Sequence, residues 1–244
     1  MSEFKLPTEQ VELPSKGLLY SEDNPLSSGK VEIKYMTAKE EDILTNQSYI
    51  KKGIVLDKLL QSLIVDKNIK YDDLIVGDKN ALLIAARILG YGSTYEFEYE
   101  GEKQTVDLST LENKPFDESV ITKGKNEFDY ELPKTGTKIS FKILDGRDER
   151  SIERELQGLK KINKDASPEL STRLKYIITA VNGNPDKKGV REFVDNFLLA
   201  QDSRALRNYI KLVQPDVDLT FFPDGSSYDV TIPIGLSFFW PDAG

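Results

Sequence analysis

VELPSKGLLYSEDNPLSSGKVEIKYMTAKEEDIL, residues 11–44, combines two strand signals, a polar turn and a helix start in one unbroken run. Val11 and Leu13 lead to Pro14, Val31 and Ile33 alternate with charged neighbours, and Ser27, Ser28 and Gly29 supply turn chemistry between them. Thr37 and Glu40 then have the Thr-x-x-Glu spacing of a capping box, in which a hydroxyl accepts from a helical N–H and the carboxylate reaches back to the cap. On this reading Glu40→Gln is a mild change, because the amide still reaches the cap. A β unit followed at once by a helix sets the expectation for the chain: an α+β fold with antiparallel hairpin units at both termini and mid-chain, and two helical clusters between them.

The rest of the chain extends that pattern. Val55, Leu56, Leu59, Leu60, Leu63 and Ile64 form paired apolar positions on one helical face. A further helix is expected after Asp78 as cap, with Leu82, Leu83, Ala86 and Leu89 inward and Gly90 closing it. From Ser93 the period becomes twofold. Tyr95, Phe97 and Tyr99 alternate with glutamates before Gly101, and Phe128, Tyr130 and Leu132 pair across Pro133–Gly136 with Ile139, Phe141 and Ile143. Between these hairpins, residues 112–126 read as a loop.

Beyond Asp145, Ile152, Leu156, Leu159 and Ile162 form a helical stripe. Ser167 and Pro168 suggest the N-cap and first position of a helix carrying Leu170, Leu174, Ile177, Ile178 and Val181. Two more helices follow around Val190–Phe197 and Ala205–Val213, and a last hairpin turns at Pro223–Ser226. The organisation expected is an N-terminal α+β region, 1–144, and a helical module with a C-terminal hairpin and aromatic tail, 145–244.

Composition narrows the function. The 244 residues include no cysteine and no histidine, which removes disulfides, the commonest transition-metal ligands and the usual neutral-pH general base. A net charge of -8 disfavours an extended nucleic-acid footprint. No eighteen-residue apolar run suggests a membrane span, and MSEFKLPTEQ lacks a basic segment followed by an apolar one, so a cytoplasmic protein is expected. No metal or cofactor is expected.

Candidate chemistry has simple structural explanations. Glu40, Glu41 and Asp42 complement the positive end of a helix dipole, and Asp145, Gly146, Arg147, Asp148 and Glu149 lie where a strand turns into a helix. Gly90-Tyr91-Gly92 follows a helix, so it is no phosphate loop. Lys51-Lys52, Lys160-Lys161 and Lys187-Lys188 read as solvated faces or turns. No catalytic residue is assigned. Phe238, Phe239 and Trp240 stand apart: three adjacent aromatics cannot all face one side of a strand, so either the segment is buried on both faces or part of it meets a partner. Partner binding by these three residues is the expectation, with the polar turn between Tyr20 and Lys30 as the alternative surface.

LPSKGLLY (13–20), NPLSSGKVEIKYMTAKEEDIL (24–44) and IPIGLSFFWPD (232–242) closely resemble the baseplate hub assembly proteins of T4-type tailed bacteriophages, the T4 base plate protein family. The likeness runs over both ends and the order of elements between them. Relatives can carry a cysteine pair in the final hairpin, where this chain has Phe222-Pro223-Asp224-Gly225, so a metal knuckle is not expected here. The resemblance implies a non-enzymatic protein that helps assemble the baseplate central hub with other hub proteins, in the host cytoplasm. The alternative is a permanent hub subunit retained in the virion. A cell-wall hydrolase would need two unequal carboxylates in a cleft, and no motif for that is visible.

Overall fold

Val11 faces Val31 across the opening hairpin, as the alternation requires. In the computed structural model, which describes residues 6–162, 168–223 and 228–239, β1 (Thr8–Glu12) pairs antiparallel with β2 (Lys30–Lys34). Val31 and Ile33 point into the core while β1 forms the outer edge. The chain enters α1 (Ala38–Leu44), then a short α2 (Gln47–Lys51) that sequence periodicity does not reveal. Asn46 starts α2 by accepting from the Ser48 and Tyr49 N–H groups. In α3 (Val55–Leu63), Leu59, Leu60 and Leu63 are fully buried on the expected face.

The central helix, α4 (Val76–Tyr91), departs from expectation at both ends. Asp78 is not its cap but its third residue, because the backbone is already helical at Val76. The Ile75 N–H is satisfied by the Tyr20 hydroxyl at 3.1 Å, a partner far away in sequence. Gly90 lies inside the helix against Met36, and Gly92 follows its end.

Two hairpins come next: β3 (Thr94–Tyr99) with β4 (Glu102–Asp107), and β5 (Phe128–Glu131) with β6 (Lys138–Phe141). Tyr95 and Phe97 are buried, and the intervening glutamates face water. Residues 112–126 are largely irregular but tied down, with the Lys114 N–H on the Asp216 carbonyl at 2.8 Å and the Asp218 N–H on the Glu112 carbonyl at 2.7 Å.

The C-terminal half contains α5 (Gly146–Ile162), α6 (Glu169–Ile177), β7 (Ile178–Val181), α7 (Lys187–Asn196) and α8 (Ala200–Val213). The Leu156–Ile162 end of the α5 stripe leaves the core, and Ile162 is exposed. The helix expected to run through Val181 stops at Ile177. Its last residues, three of them β-branched, instead join β6 as the third strand of the β5-β6-β7 sheet. Pro168 occupies the cap position and not the first helical one; Ser167 lies outside the described residues. Lys187 and Lys188 open α7 and are not part of a turn. Finally β8 (Thr220–Phe221) pairs with β9 (Val230–Thr231), and residues 236–239 form a 3₁₀ turn; most of the expected turn at Pro223–Ser226 lies outside the described residues.

The fold is thus α+β, with eight α-helices and nine strands in small antiparallel sheets among the described residues. The division expected after Leu144 does not separate two cores. β7 pairs with β6 across it, the Gly146 N–H bonds the Leu74 carbonyl at 3.1 Å, and one continuous apolar cluster includes Leu59, Phe141, Leu206 and Phe238.

At Gly77, α4 runs close beside residues 215–216. A Cβ there would overlap the Pro215 carbonyl oxygen and crowd the Asp216 Cα at 2.7 Å, both backbone atoms. Gly77→Ala is therefore expected to cost about 1–3 kcal/mol by forcing α4 away from residues 215–216. Chemical denaturation measures this, and a change within experimental error would show that the backbone there yields freely.

Candidate functional site

Phe238 and Phe239 are core residues, which corrects for these two the expectation that they bind a partner. Phe238 and Phe239 are both 0% exposed. The alternation argument assumed a strand, but Leu236–Phe239 is a 3₁₀ turn, and its tighter winding directs both rings inward. Phe238 packs edge-on against Tyr95 at 4.8 Å and against Phe239 at 5.5 Å. Trp240 lies outside the described residues.

Arg87, near the end of α4, holds this segment. Its guanidinium donates to the carbonyls of Phe238 (2.8 Å), Gly92 (2.7 Å) and Thr94 (3.0 Å), and it lies over the rings of Tyr91 and Tyr95. Burial lowers its pKa, and no carboxylate pairs with it among the described residues. Sequence periodicity gave no sign of this arginine, since its acceptors are main-chain atoms.

The other surface named from sequence, the turn between Tyr20 and Lys30, belongs to a loop built from below. The buried Asp78 carboxylate accepts from the Ser15 N–H at 2.9 Å, the Ser15 hydroxyl at 2.6 Å and the Tyr20 hydroxyl at 2.6 Å. Gly17, at φ 77°, allows the chain to pass tightly beside Ser27, where a side chain would meet the Ser27 carbonyl. Asn24 caps a short 3₁₀ turn at Pro25–Ser28 and donates to Asp73 at 3.1 Å. Leu13 N–H closes the loop onto the Gly29 carbonyl at 2.9 Å. Above this frame Ser21, Glu22 and Asp23 are exposed. A polar crest on a fixed frame loses little conformational entropy on association.

The remaining acidic candidates separate by environment. Glu41 and Asp42 are exposed, whereas Glu40 is 0% exposed. Its carboxylate takes the Thr37 N–H at 2.9 Å and the Thr37 hydroxyl at 2.6 Å, completing the return half of the cap, and also meets Lys34 Nζ and Ser62 Oγ, each at 2.6 Å. Burial pushes this carboxyl upward, but the bonds from Lys34, Ser62 and Thr37 together outweigh it and hold it at about 2, below an ordinary 4.5. Asp145 caps α5 by accepting from the Arg147 and Asp148 N–H groups, both at 2.9 Å, and Asp148 pairs with Lys142 at 2.7 Å. Arg147 bridges Asp73 and Asp145, and Glu149 pairs with Arg173. Lys51, Lys52, Lys160 and Lys161 are exposed. Among the described residues no group of three or more acidic side chains is placed to hold a metal ion.

The chain matches no protein-family model, no curated protein and no solved structure.

Two outcomes follow from this geometry. Glu40 has a folded pKa below its unfolded one, so its stabilising contribution is complete above about pH 4.5 and is lost as pH falls toward about 2. Glu40→Gln should remove about 3 kcal/mol near neutral pH. It should also flatten the acid limb of the stability profile, a larger effect than the cap alone predicts; equal acid limbs in both proteins would reject the assignment. Phe239→Ala should cost about 3–5 kcal/mol in denaturant melts, the loss of a buried aromatic. A fully stable variant would instead return this residue to the surface.

Proposed function

We propose that this chain is a non-enzymatic assembly factor that helps build the central hub of a T4-type phage baseplate through contacts with other hub proteins. The observation that carries the reading is the resemblance of residues 13–20, 24–44 and 232–242 to the T4 base plate protein family. The fold supports treating those segments as one unit. The first and second surround Asp78 and Glu40, the third meets Arg87 through Phe238, and Asp78 and Arg87 lie on the same helix.

The surface offered to a hub partner is the crest Ser21–Asp23. It is exposed and polar, and the hydrogen bonds of Ser15, Tyr20 and Asn24 fix it in place. The setting is the cytoplasm of an infected bacterium. The second reading, a hub subunit kept in the finished virion, uses the same surface and differs in the fate of the protein.

Quantitative mass spectrometry of infected-cell lysate and of purified mature particles tests the proposal. The expected result is abundance in lysate, recovery with hub proteins, and absence from particles. A fixed few copies per particle would establish the retained-subunit reading instead. Failure to associate with any baseplate protein in lysate would reject both. Replacing Ser21, Glu22 and Asp23 together by Ala is expected to abolish co-purification with co-expressed hub proteins while leaving the melting temperature unchanged.

A further inference from the structure

The register of the opening hairpin shows which main-chain groups lie along the free edge of β1. The Leu13 N–H bonds the Gly29 carbonyl at 2.9 Å and the Tyr35 N–H bonds the Pro7 carbonyl at 3.1 Å, each continuing the pairing of β1 with β2. Hydrogen-bonded pairs alternate along an antiparallel ladder, so Glu9 and Val11 turn their main-chain groups toward β2, while Thr8, Gln10 and Glu12 turn theirs away. The far side of β2 keeps the same alternation: the Glu32 carbonyl, opposite Gln10, accepts from the Val65 N–H at 3.0 Å. Nothing among the described residues bonds the outward groups of Thr8, Gln10 and Glu12.

The side chains along this edge set its chemistry. Thr8, Glu9, Gln10 and Glu12 are exposed, and Val11 is half-buried. The charged side chains of β1 are Glu9 and Glu12, both acidic. Glu12 meets Lys30 across the ladder at 3.2 Å, a solvent-exposed pair that contributes little, and Glu9 has no cationic partner among the described residues. Pro7 and Pro14 bracket the strand and confine any further pairing to the residues between them. Charge on an exposed edge deters indiscriminate strand addition, because like charges opposite one another destabilise a ladder. The same charges favour a strand that sets cations opposite them.

From the outward main-chain groups and the acidic side chains we infer that β1 is a docking edge for an extended segment of a partner protein, which pairs antiparallel with it and carries Lys or Arg opposite Glu9 and Glu12. Glu9 and Val11 share one face of the ribbon and Glu12 lies on the other. The segment therefore presents a basic and an apolar residue on the first face and a basic residue on the second. Main-chain hydrogen bonds supply the affinity and the side chains supply the choice of partner. A second copy of this chain is a poorer occupant, because pairing β1 with itself brings together only acidic charges. The inference is independent of the assembly role, since it concerns the isolated chain.

Amide chemical-shift titration of the intact protein tests it with two capped peptides. One is Lys-Val-Thr-Lys-Thr, which sets lysines opposite Glu12 and Glu9 and valine opposite Val11; the other is its acidic counterpart, Glu-Val-Thr-Glu-Thr. The basic peptide should give saturable shifts centred on Thr8, Gln10 and Glu12 with a Kd below about 10 mM. The acidic peptide should bind roughly tenfold more weakly, since attractive cross-strand pairs become repulsive ones. Replacing Glu9 and Glu12 together by Lys should reverse that preference. Gln10→Pro should weaken the basic peptide roughly tenfold, because it removes an outward donor and leaves the β1–β2 hydrogen bonds in place. Overlay of the β2 amides with the parent spectrum shows that the hairpin is kept, and if it is not, the charge reversal still decides. Equal binding of the two peptides, or saturation by neither, would overturn the inference. Shifts of the same amides that grow with protein concentration alone would also overturn it, assigning the edge to a second copy.

Discussion

Asp78 is the constraint on which the opening half of the structure depends. It is a fully buried carboxylate with no ion-pair partner among the described residues, and its hydrogen bonds reach 63 residues back to Ser15 and 58 back to Tyr20. Burial pushes its carboxyl above the usual range, the bonds from Ser15 and Tyr20 oppose that, and the nearby charge of Asp216 adds to the rise. The compensating field comes from the helix itself, because Asp78 lies in the first turn of α4 where unpaired N–H groups make the end positive. Tyr20 completes the circuit by donating to Asp78 and accepting from Ile75 N–H, which lies just ahead of the helix. Losing either hydroxyl would leave a buried polar group unpaired, so the loop, the helix start and the β1–β2 hairpin are held as one piece.

The same device recurs through the chain. Glu40 in α1, Asp148 in α5 and Asp202 in α8 are each, like Asp78, the third residue of their helix. Glu40 gathers Lys34, Thr37 and Ser62; Asp148 gathers Lys142; Asp202, fully buried, accepts from the Lys134 N–H and the Thr135 hydroxyl, both at 2.8 Å. In each case the helix end offsets part of the desolvation and a segment from elsewhere supplies donors. Asp202 in this way anchors the β5–β6 turn to α8. Acidic residues that seem to serve only local capping therefore also organise the tertiary structure.

That dual use explains what could be read from sequence and what could not. The hairpins were legible because twofold alternation at Tyr95–Tyr99 and Phe128–Leu132 is a local consequence of half-burial. The α3 face and the return half of the Thr37–Glu40 box were legible for the same reason. The second partners of Glu40, the Tyr20 cap on Ile75 and the carbonyls around Arg87 are long-range, and no spacing within one segment encodes them. Ile178–Val181 fits a helical stripe and a strand equally well, and the available edge of β6 decides between them. Phe238 and Phe239 were misread because the chain there was taken to be extended. The crest Ser21–Asp23 was visible as a polar turn, but its rigidity comes from Asp78.

The two ends of α4 show how one helix can secure both ends of the described chain. Asp78 near its N-terminus grips the loop after β1, while Arg87 in its last turns grips the segment after β9. Neither charge has an ion-pair partner among the described residues, yet each has the sign that its end of the macrodipole favours, and main-chain or hydroxyl groups satisfy both. Exchanging the two side chains would place an anion among carbonyl oxygens and a cation among N–H and hydroxyl donors, so the arrangement discriminates between the two loops as well as stabilising them. The loop after β1 and the segment after β9 are thereby directed onto one helix, and the crest above Ser15 is left exposed.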